Sequence, residues 1–389
     1  MYSCVVDFPV PLSVLNSVYF IGQVKALESQ RKEAYPNIFT GLERISNPIS
    51  VHASNKLDGV LIGKTRFKDI VYRGAAPITQ AEKEISGYQN ALKFIVEEYV
   101  SLELTEKTIK KIHQILFSHC PEGGKYRTED IDTKIRVGAY NIKIRADKVK
   151  LIERYMLEII DSYHNANNIN PLVLIPCFIL DFLLTSPFLC GNERMSRLLA
   201  IFLLLKNGFN IVKYISYEDQ ITKTRCNYYS FQKLEYRMTK PIPSNKSDKY
   251  PSRNKQRHQY INYEQCEFVH HFIYTIKDCY DQLNKHFIDI QGKTKAQRIE
   301  TLIVDSQSLI SKSEICSLLP DVSKTTIEAT LAQLLKSNII KKIGKGKSTK
   351  YMKVDNSPII EPLEKNKKQT KFHIDRYTTL KFIEEAPPL

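Results

Sequence analysis

The chain has no Cys-x-x-Cys pair, and no histidine sits at metal-ligand spacing from any of its eight cysteines, which are scattered along 389 residues. That excludes the familiar zinc sites and a disulfide framework, and it fits a reducing, cytoplasmic setting. The N-terminus, Met1 to Pro9, lacks a basic region followed by an apolar core, so no signal peptide is read there. Acidic residues are short as well: 42 Asp and Glu against 57 Lys and Arg leave a formal net charge of +15, which points to a polyanionic partner such as duplex DNA. A membrane-crossing segment is also missing. Pro171 to Cys190 is almost wholly apolar and close to the ~20 residues a bilayer needs, yet it holds Asp181, is broken by Pro176 and Pro187, and runs into a charged turn and a second apolar run, Leu198 to Leu205. A pair of buried central helices accounts for that pattern, with no membrane partner.

What the chain does have is concentrated in residues 186 to 199, Ser-Pro-Phe-Leu-Cys-Gly-Asn-Glu-Arg-Met-Ser-Arg-Leu-Leu. An apolar helix, a turn from Ser186 to Glu193 and a second helix from about Arg194 aim free backbone N–H groups and the positive end of a helix dipole at whatever lies above them. Arg194 and Arg197, three apart on one helix face, can bind a phosphate or a carboxylate. Taken alone, Gly191 and Asn192 are equally good as ordinary turn residues.

This segment resembles the signature of the Fic (Fido) family, His-Pro-Phe-x-Asp/Glu-Gly-Asn-Gly-Arg-x-x-Arg, and aligns with it without a gap: Pro187, Phe188, Gly191, Asn192, Arg194 and Arg197 match. The resemblance implies a mainly α fold, a Fic-type helical core with a small β-hairpin flap, in which Gly191, Asn192, Arg194 and Arg197 bind the phosphates of ATP and AMP is transferred to a hydroxyl of a target protein. Three positions depart from it. Ser186 stands where the family has its general-base histidine, and a hydroxyl with no pKa near neutrality cannot replace an imidazole, a role worth about 10²–10⁴ in rate. Cys190 replaces the acid that holds magnesium, and a soft thiol is a poor ligand for that hard ion. Glu193 puts a carboxylate and a Cβ where a glycine lets the backbone approach phosphates. The expectation is a degenerate site: Ser186 inactive at the catalytic position, ATP without well-held Mg2+, no other metal, and a pseudoenzyme or regulatory protein. The alternatives are a protein adenylyltransferase working by a variant route and a protein-interaction scaffold.

Upstream, residues 1–95 form an N-terminal helical region with a helix from Leu12 to about Gln30 and a turn at Tyr35-Pro36-Asn37. Ser54 to Gly59 resembles the inhibitory helix motif of Fic proteins, Ser/Thr-x-x-x-Glu before Gly or Asn, which makes Ser54 and Asp58 the inhibitory residues and Arg197 the partner of Asp58. Asp58 is one methylene shorter than the family glutamate, and the residues alone read as a helix end stopped by Gly59. Amphipathic helices follow over Thr79–Val100 and Thr105–Ser118, with Ile109, Ile112, Ile115 and Leu116 on the apolar face. The core, residues 96–238, then takes in a hairpin over Ile131–Ile144, turning at Val137-Gly138-Ala139, where a target protein would dock by strand addition to the flap. It closes with a helix over Val149–Asn165, the central pair, and a helix at Tyr228-Tyr229.

Residues 239–259 read as a linker, and 260–290 as a connecting helix whose apolar positions suit core or homodimer contact. Residues 291–355 are expected to form a C-terminal winged-helix domain: a short helix over Ser311–Leu319, a turn at Pro320-Asp321-Val322, a helix from Ser323 to Ser337 and two strands about Gly344-Lys345-Gly346-Lys347. Its candidate DNA contacts are Lys324, Thr325 and Thr326 at the start of the helix and Lys345, Lys347 and Lys350 on the wing. The tail, 356–389, is polar.

Overall fold

The computed structural model describes residues 10–137, 140–145, 148–224, 263–305, 309–319, 322–344, 346 and 349–354. The expected linker, Tyr228, Tyr229, Lys345, Lys347 and the tail lie outside the described residues. The chain is mainly helical and divides into two compact units, Met1–Glu28 with Ser46–Asn284, and Ser29–Ile45 with Lys285–Leu389.

The N-terminal helices are α1 (Leu12–Ala26), α2 (Glu28–Ala34), α3 (Pro36–Leu57) and α4 (Lys64–Val71). The single helix expected over residues 12–30 is interrupted at Leu27. The turn expected at 35–37 shrinks to Tyr35, because Pro36 occupies the first position of α3, where its missing N–H costs nothing and its fixed φ already suits a helix. α3 stops at Leu57, and the chain reverses through Gly59 at φ +78° while Val60 N–H donates back to the Asn55 carbonyl at 2.9 Å. This leaves Asp58 just past the last turn of α3, the position from which its carboxylate reaches the site.

α5 (Gln80–Glu98) starts at a capping box: Thr79 Oγ1 accepts from Glu82 N–H, and the Glu82 carboxylate accepts from Thr79 N–H. α6 (Glu106–Leu116) is capped by Thr105 and buries Ile109, Ile112 and Leu116, while Ile115 is only half-buried. The two helices cross at Gly87, where an added Cβ would lie 2.1 Å from the Leu116 carbonyl oxygen. β1 (Asp132–Val137) and β2 (Tyr140–Arg145) pair antiparallel in the expected hairpin, closing with Val137 opposite Tyr140. A 3-10 turn at Val149–Leu151 leads into α7 (Ile152–His164).

The central pair is α8 (Pro171–Thr185) and α9 (Asn192–Lys206). Asn170 caps α8 by accepting from Leu172 N–H at 2.9 Å, and Pro171 takes the first position. Nearly every side chain of both helices is buried, so they are apolar all round because they run through the middle of the unit. Among the described residues no helix is long and apolar enough to cross a membrane. α10 (Ile211–Tyr214) and α11 (Tyr217–Lys223), the latter capped by Ser216, and the long α12 (Tyr263–Gly292) follow.

The second unit holds α13 (Lys295–Asp305), β3 (Ile310–Ser311), α14 (Lys312–Leu318), α15 (Lys324–Lys336), β4 (Ile340–Ile343) and β5 (Lys350–Lys353), of which α13 and β3 were not read from the sequence. The strands form an antiparallel sheet in the order β3-β5-β4. Ile299, Ile303, Ile315, Ile327, Leu331 and Ile340 are among its buried core. Ser311 and Ser323 cap α14 and α15 through their side chains.

Candidate anion site at the α8–α9 turn

α8 ends because Ser186 adopts the left-handed conformation, φ 42° and ψ 62°, and Pro187 cannot continue the helix. The Ser186 N–H donates to Phe182 O at 2.9 Å, and its hydroxyl donates to Leu183 O at 2.6 Å. The hydroxyl proton is therefore committed to the end of its own helix. Arg127, buried at 4% exposure, completes that end. Its guanidinium donates to the carbonyls of Ser186 at 2.8 Å and Glu129 at 2.8 Å, and its backbone N–H donates to Pro187 O at 2.9 Å. A cation placed on the last carbonyls of a helix also meets the negative end of the dipole.

The turn itself is held from beneath. Phe188 is fully buried and stacks on His113, with ring centroids 3.7 Å apart and planes 3° from parallel. Gly124 N–H donates to His113 Nδ1 at 2.9 Å, which makes Nδ1 the acceptor and leaves Nε2–H to donate to Cys190 O at 3.2 Å. That is the neutral imidazole, and burial lowers the His113 pKa to about 4, against the weaker opposing pull of the Cys190 carbonyl. Asn192 uses both ends of its amide on Phe188, accepting from its N–H at 3.0 Å and donating to its carbonyl at 2.8 Å. Gly191 sits at φ +72°, where a Cβ would come within 2.2 Å of the Phe117 ring. Gly191 and Asn192, read as phosphate-binding candidates, thus shape the turn, with the Asn192 side chain turned to the backbone.

Above the turn, α9 opens with no side-chain cap on Gly191, and the first-turn N–H groups of any helix have no acceptor within it. Arg194 and Arg197 lie side by side. Arg194 donates from Nε to Asp58 Oδ2 at 2.7 Å and from Nη2 to Glu84 Oε2. Arg197, with no exposed surface, donates from Nη2 to Asp58 Oδ1 at 2.9 Å and from Nε to Ser54 Oγ at 2.8 Å. The shorter aspartate arm therefore does reach, and one carboxylate bridges both guanidinium groups. Two cations face two carboxylates, one just past the end of α3 and one on α5, so their charges balance. Arg194 Nη1 is buried and has no hydrogen-bond partner among the described residues.

The remaining loop positions carry less chemistry. Burial, with Cys120 and Glu84 nearby, pushes the Cys190 thiol up, Arg194 opposing, so thiolate is disfavoured. Glu193 is half-buried in the first turn of α9. No group of three or more His, Cys, Asp or Glu residues that could hold a metal occurs among the described residues. Sequence reading missed Glu84, His113, Phe117 and Arg127. Each lies 59 or more positions from its main partner in the cluster and carries no local signal, apart from His113, a polar residue on the otherwise apolar face of α6.

In the second unit Lys324 and Thr325 are exposed at the start of α15, Thr326 is half-buried with its hydroxyl 2.8 Å from Ser323 Oγ, and Lys350 is half-buried on β5. Lys341 and Lys342 are exposed on β4. Glu328 on the exposed face of α15 is paired with Lys312 at 2.7 Å.

Comparison with known proteins agrees with this architecture. Residues 103–204 match the model of the Fic/DOC family, so the chain carries a Fic/DOC family domain there. A curated relative, protein adenylyltransferase Fic of Drosophila grimshawi, is 31% identical over 154 residues, covering 39% of this chain and 29% of that protein. Among solved structures, a Fic family protein from Desulfovibrio desulfuricans G20 aligns over 90% of this chain and 99% of its own, with a TM-score of 0.55 and 16% identity. A Fic domain containing signaling protein from Bacteroides thetaiotaomicron VPI-5482 aligns over 66% and 94%, with a TM-score of 0.50.

Proposed function

We propose that this Fic-domain protein is a pseudoenzyme whose turn between α8 and α9 is a phosphate-binding regulatory site rather than a centre of AMP transfer. The observation that carries the reading is the Ser186 hydroxyl. It occupies the position where the resembling family keeps a base, and its proton goes to Leu183 O at 2.6 Å. A group that is itself a committed donor cannot take a proton from an incoming hydroxyl. The donor set also does not fit magnesium: Cys190 offers a thiol, and Asp58 and Glu84 are both engaged with Arg194. Phosphate oxygens are a different matter. The unpartnered Nη1 of Arg194, the N-terminus of α9 and the paired arginines fit an anion that displaces Asp58. In this reading Asp58 is a latch, and ATP is the anion to test.

Two measurements decide it. Incubation of the protein with labelled ATP and magnesium should leave no label on it or on any protein of a cell extract; robust labelling abolished by Arg194→Ala would establish the transferase alternative. Isothermal titration should show ATP binding more tightly to Asp58→Ala than to the wild type, with or without magnesium.

A second reading concerns residues 310–353, where a capped helix precedes a hairpin bearing exposed Lys341 and Lys342. We infer that this unit contacts duplex DNA through phosphates, mainly from the hairpin, since the Lys312–Glu328 pair places an acid on the exposed face of α15.

A further inference from the structure

α6 and the loop after it form an open groove of about 930 Å3 whose lining shares no residue with the arginine cluster. One wall is a face of α6 with Lys107, Lys110 and Lys111, and the other is Gly123, Gly124 and Lys125. Its charges are unequal. Glu106, the one acid in the lining among the described residues, is held by Lys110, whose ammonium also lies 4.1 Å from the centre of the Tyr126 ring. Lys107, Lys111 and Lys125 are exposed and have no carboxylate partner among the described residues. Their positive charges are thus left unbalanced on the two walls.

The second wall is held in place by close packing. Gly124 N–H donates to His113 Nδ1 at 2.9 Å, and at φ +82° an added Cβ there would meet Gln114 Cβ and Lys110 O at 3.0 Å. At Gly123 an added Cβ would lie 2.6 Å from Phe117 O, so the loop lies flat on α6 only because both residues are glycine. The spacing of the first wall is equally defined. Lys107 and Lys111 are about one helical turn apart, about 6 Å along the axis. In an extended chain alternate side chains share a face and recur every ~6.7 Å, so carboxylates two residues apart match these two lysines. From Glu106 to Gln114 the groove runs about 12 Å, room for about four extended residues. A single nucleic-acid strand also carries closely spaced anions, but it relies on aromatic rings to stack its bases, and the lining offers none among the described residues.

We propose that this groove docks an extended acidic segment of a partner protein, in which carboxylates two residues apart pair with Lys107 and Lys111 while Lys125 holds the segment from the opposite wall. The proposal is independent of what binds at the α8–α9 turn. The loop that carries Lys125 leads into β1, so a segment seated here lies on the approach to the hairpin. Exposed ion pairs each supply little and are screened by salt, so the lysines set encounter rate and orientation more than affinity.

The test uses the full-length protein and a fluorescein-labelled synthetic peptide, Glu-Ser-Glu-Ser-Glu-Ser, with the same peptide carrying Gln for Glu as its neutral counterpart. Fluorescence anisotropy at low ionic strength should show saturable binding of the acidic peptide and none of the neutral one. Changing Lys107 and Lys111 together to alanine should weaken binding about five-fold, the scale of two exposed ion pairs, and Lys125→Ala about two-fold. These side chains are exposed, so their loss leaves the packing of α6 and the loop intact. Changing Lys293 and Lys295 together to alanine removes as much charge from exposed positions of the second unit, and should alter binding by less than about two-fold. Carbodiimide, which joins a carboxylate to an adjacent amine, should link the acidic peptide to Lys107, Lys111 or Lys125, as read by mass spectrometry of the digested protein. Three results would overturn the proposal. One is no saturable binding of the acidic peptide. Another is equal weakening by the two lysine pairs, which would leave only diffuse attraction to the net charge of +15. The third is single-stranded DNA that binds more tightly than the peptide and is lost with Lys107 and Lys111, which would make the groove a nucleic-acid surface.

Discussion

His113 shows how far a single side chain can fix a turn. Its ring stacks on Phe188, its Nδ1 takes the Gly124 N–H and its Nε2–H supports Cys190 O, so the imidazole must be neutral to do all three. In the folded protein its pKa falls to about 4, against 6.5 for the free group. Between those values the unfolded chain holds more protons than the folded one, so stability rises with pH. The contribution is fully present above about pH 6.5, is lost as pH falls toward 4 and changes no further below that. Its size is at most about 3 kcal/mol. His271, also lowered to about 4 by burial, acts in the same sense, so the measurement is a comparison. The melting temperature of His113→Gln should fall less steeply between pH 7 and pH 4 than that of the wild type, and an identical slope would remove His113 from the account. At Gly191 the constraint is steric. Gly191→Ala would place a Cβ 2.2 Å from the Phe117 ring at a φ of +72°, and should destabilise the protein by about 2 kcal/mol or more in urea unfolding. Restoring the base is expected to do little: Ser186→His still lacks a carboxylate at Cys190, and strong AMP transfer from that one change would show that the turn needs no acid there.

At the scale of elements, what the sequence showed and what it hid divide by distance along the chain. The starts at Thr79 and Ser323 were legible because their signals are local, each a hydroxyl residue directly before its helix. The α8–Ser186–α9 arrangement was legible from the resemblance, and the residues that would serve it were named there. Partners from other elements were not. Glu84 is a half-buried acid on α5, and nothing within α5 marks it as the second counter-ion of Arg194, 110 positions away. Arg127, which lies ahead of the hairpin and 59 positions from Ser186, closes the end of α8. Asp58 read as a helix end stopped by Gly59, and that is where the structure puts it, but the same turn delivers its carboxylate to two arginines. The α5–α6 crossing depends on a glycine whose helical position gave no hint of its purpose. Gly87→Ala sets a methyl 2.1 Å from the Leu116 carbonyl oxygen, so the helices must separate. The expected loss is about 2–3 kcal/mol, read by denaturant unfolding. A neutral effect would mean that the two helices can part at Gly87 without cost.

For the molecule as a whole, the charge of +15 acts as a long-range field, and its consequences depend on where its lysines can meet phosphates. In the first unit the two arginines of the candidate site are neutralised by Asp58 and Glu84, so the site adds no net attraction until a ligand displaces Asp58. In the second unit Lys341 and Lys342 are exposed on β4, while Lys312 on α14 is tied to Glu328. That asymmetry predicts a division of labour between specific anion binding in one unit and diffuse polyanion binding in the other. Full-length protein should bind duplex DNA of any sequence at low ionic strength, and its affinity should fall linearly on a log–log plot against salt. Each phosphate contact contributes a slope of about −0.9. Changing Lys341 and Lys342 together to alanine should therefore flatten the slope by roughly two if both meet phosphates, with little change in preference among sequences. Arg194→Ala should leave the slope unaltered. If the lysine pair changes nothing, or if no salt-dependent DNA binding is found at all, the hairpin is a surface for protein contact, and the positive charge serves the encounter with an acidic protein instead.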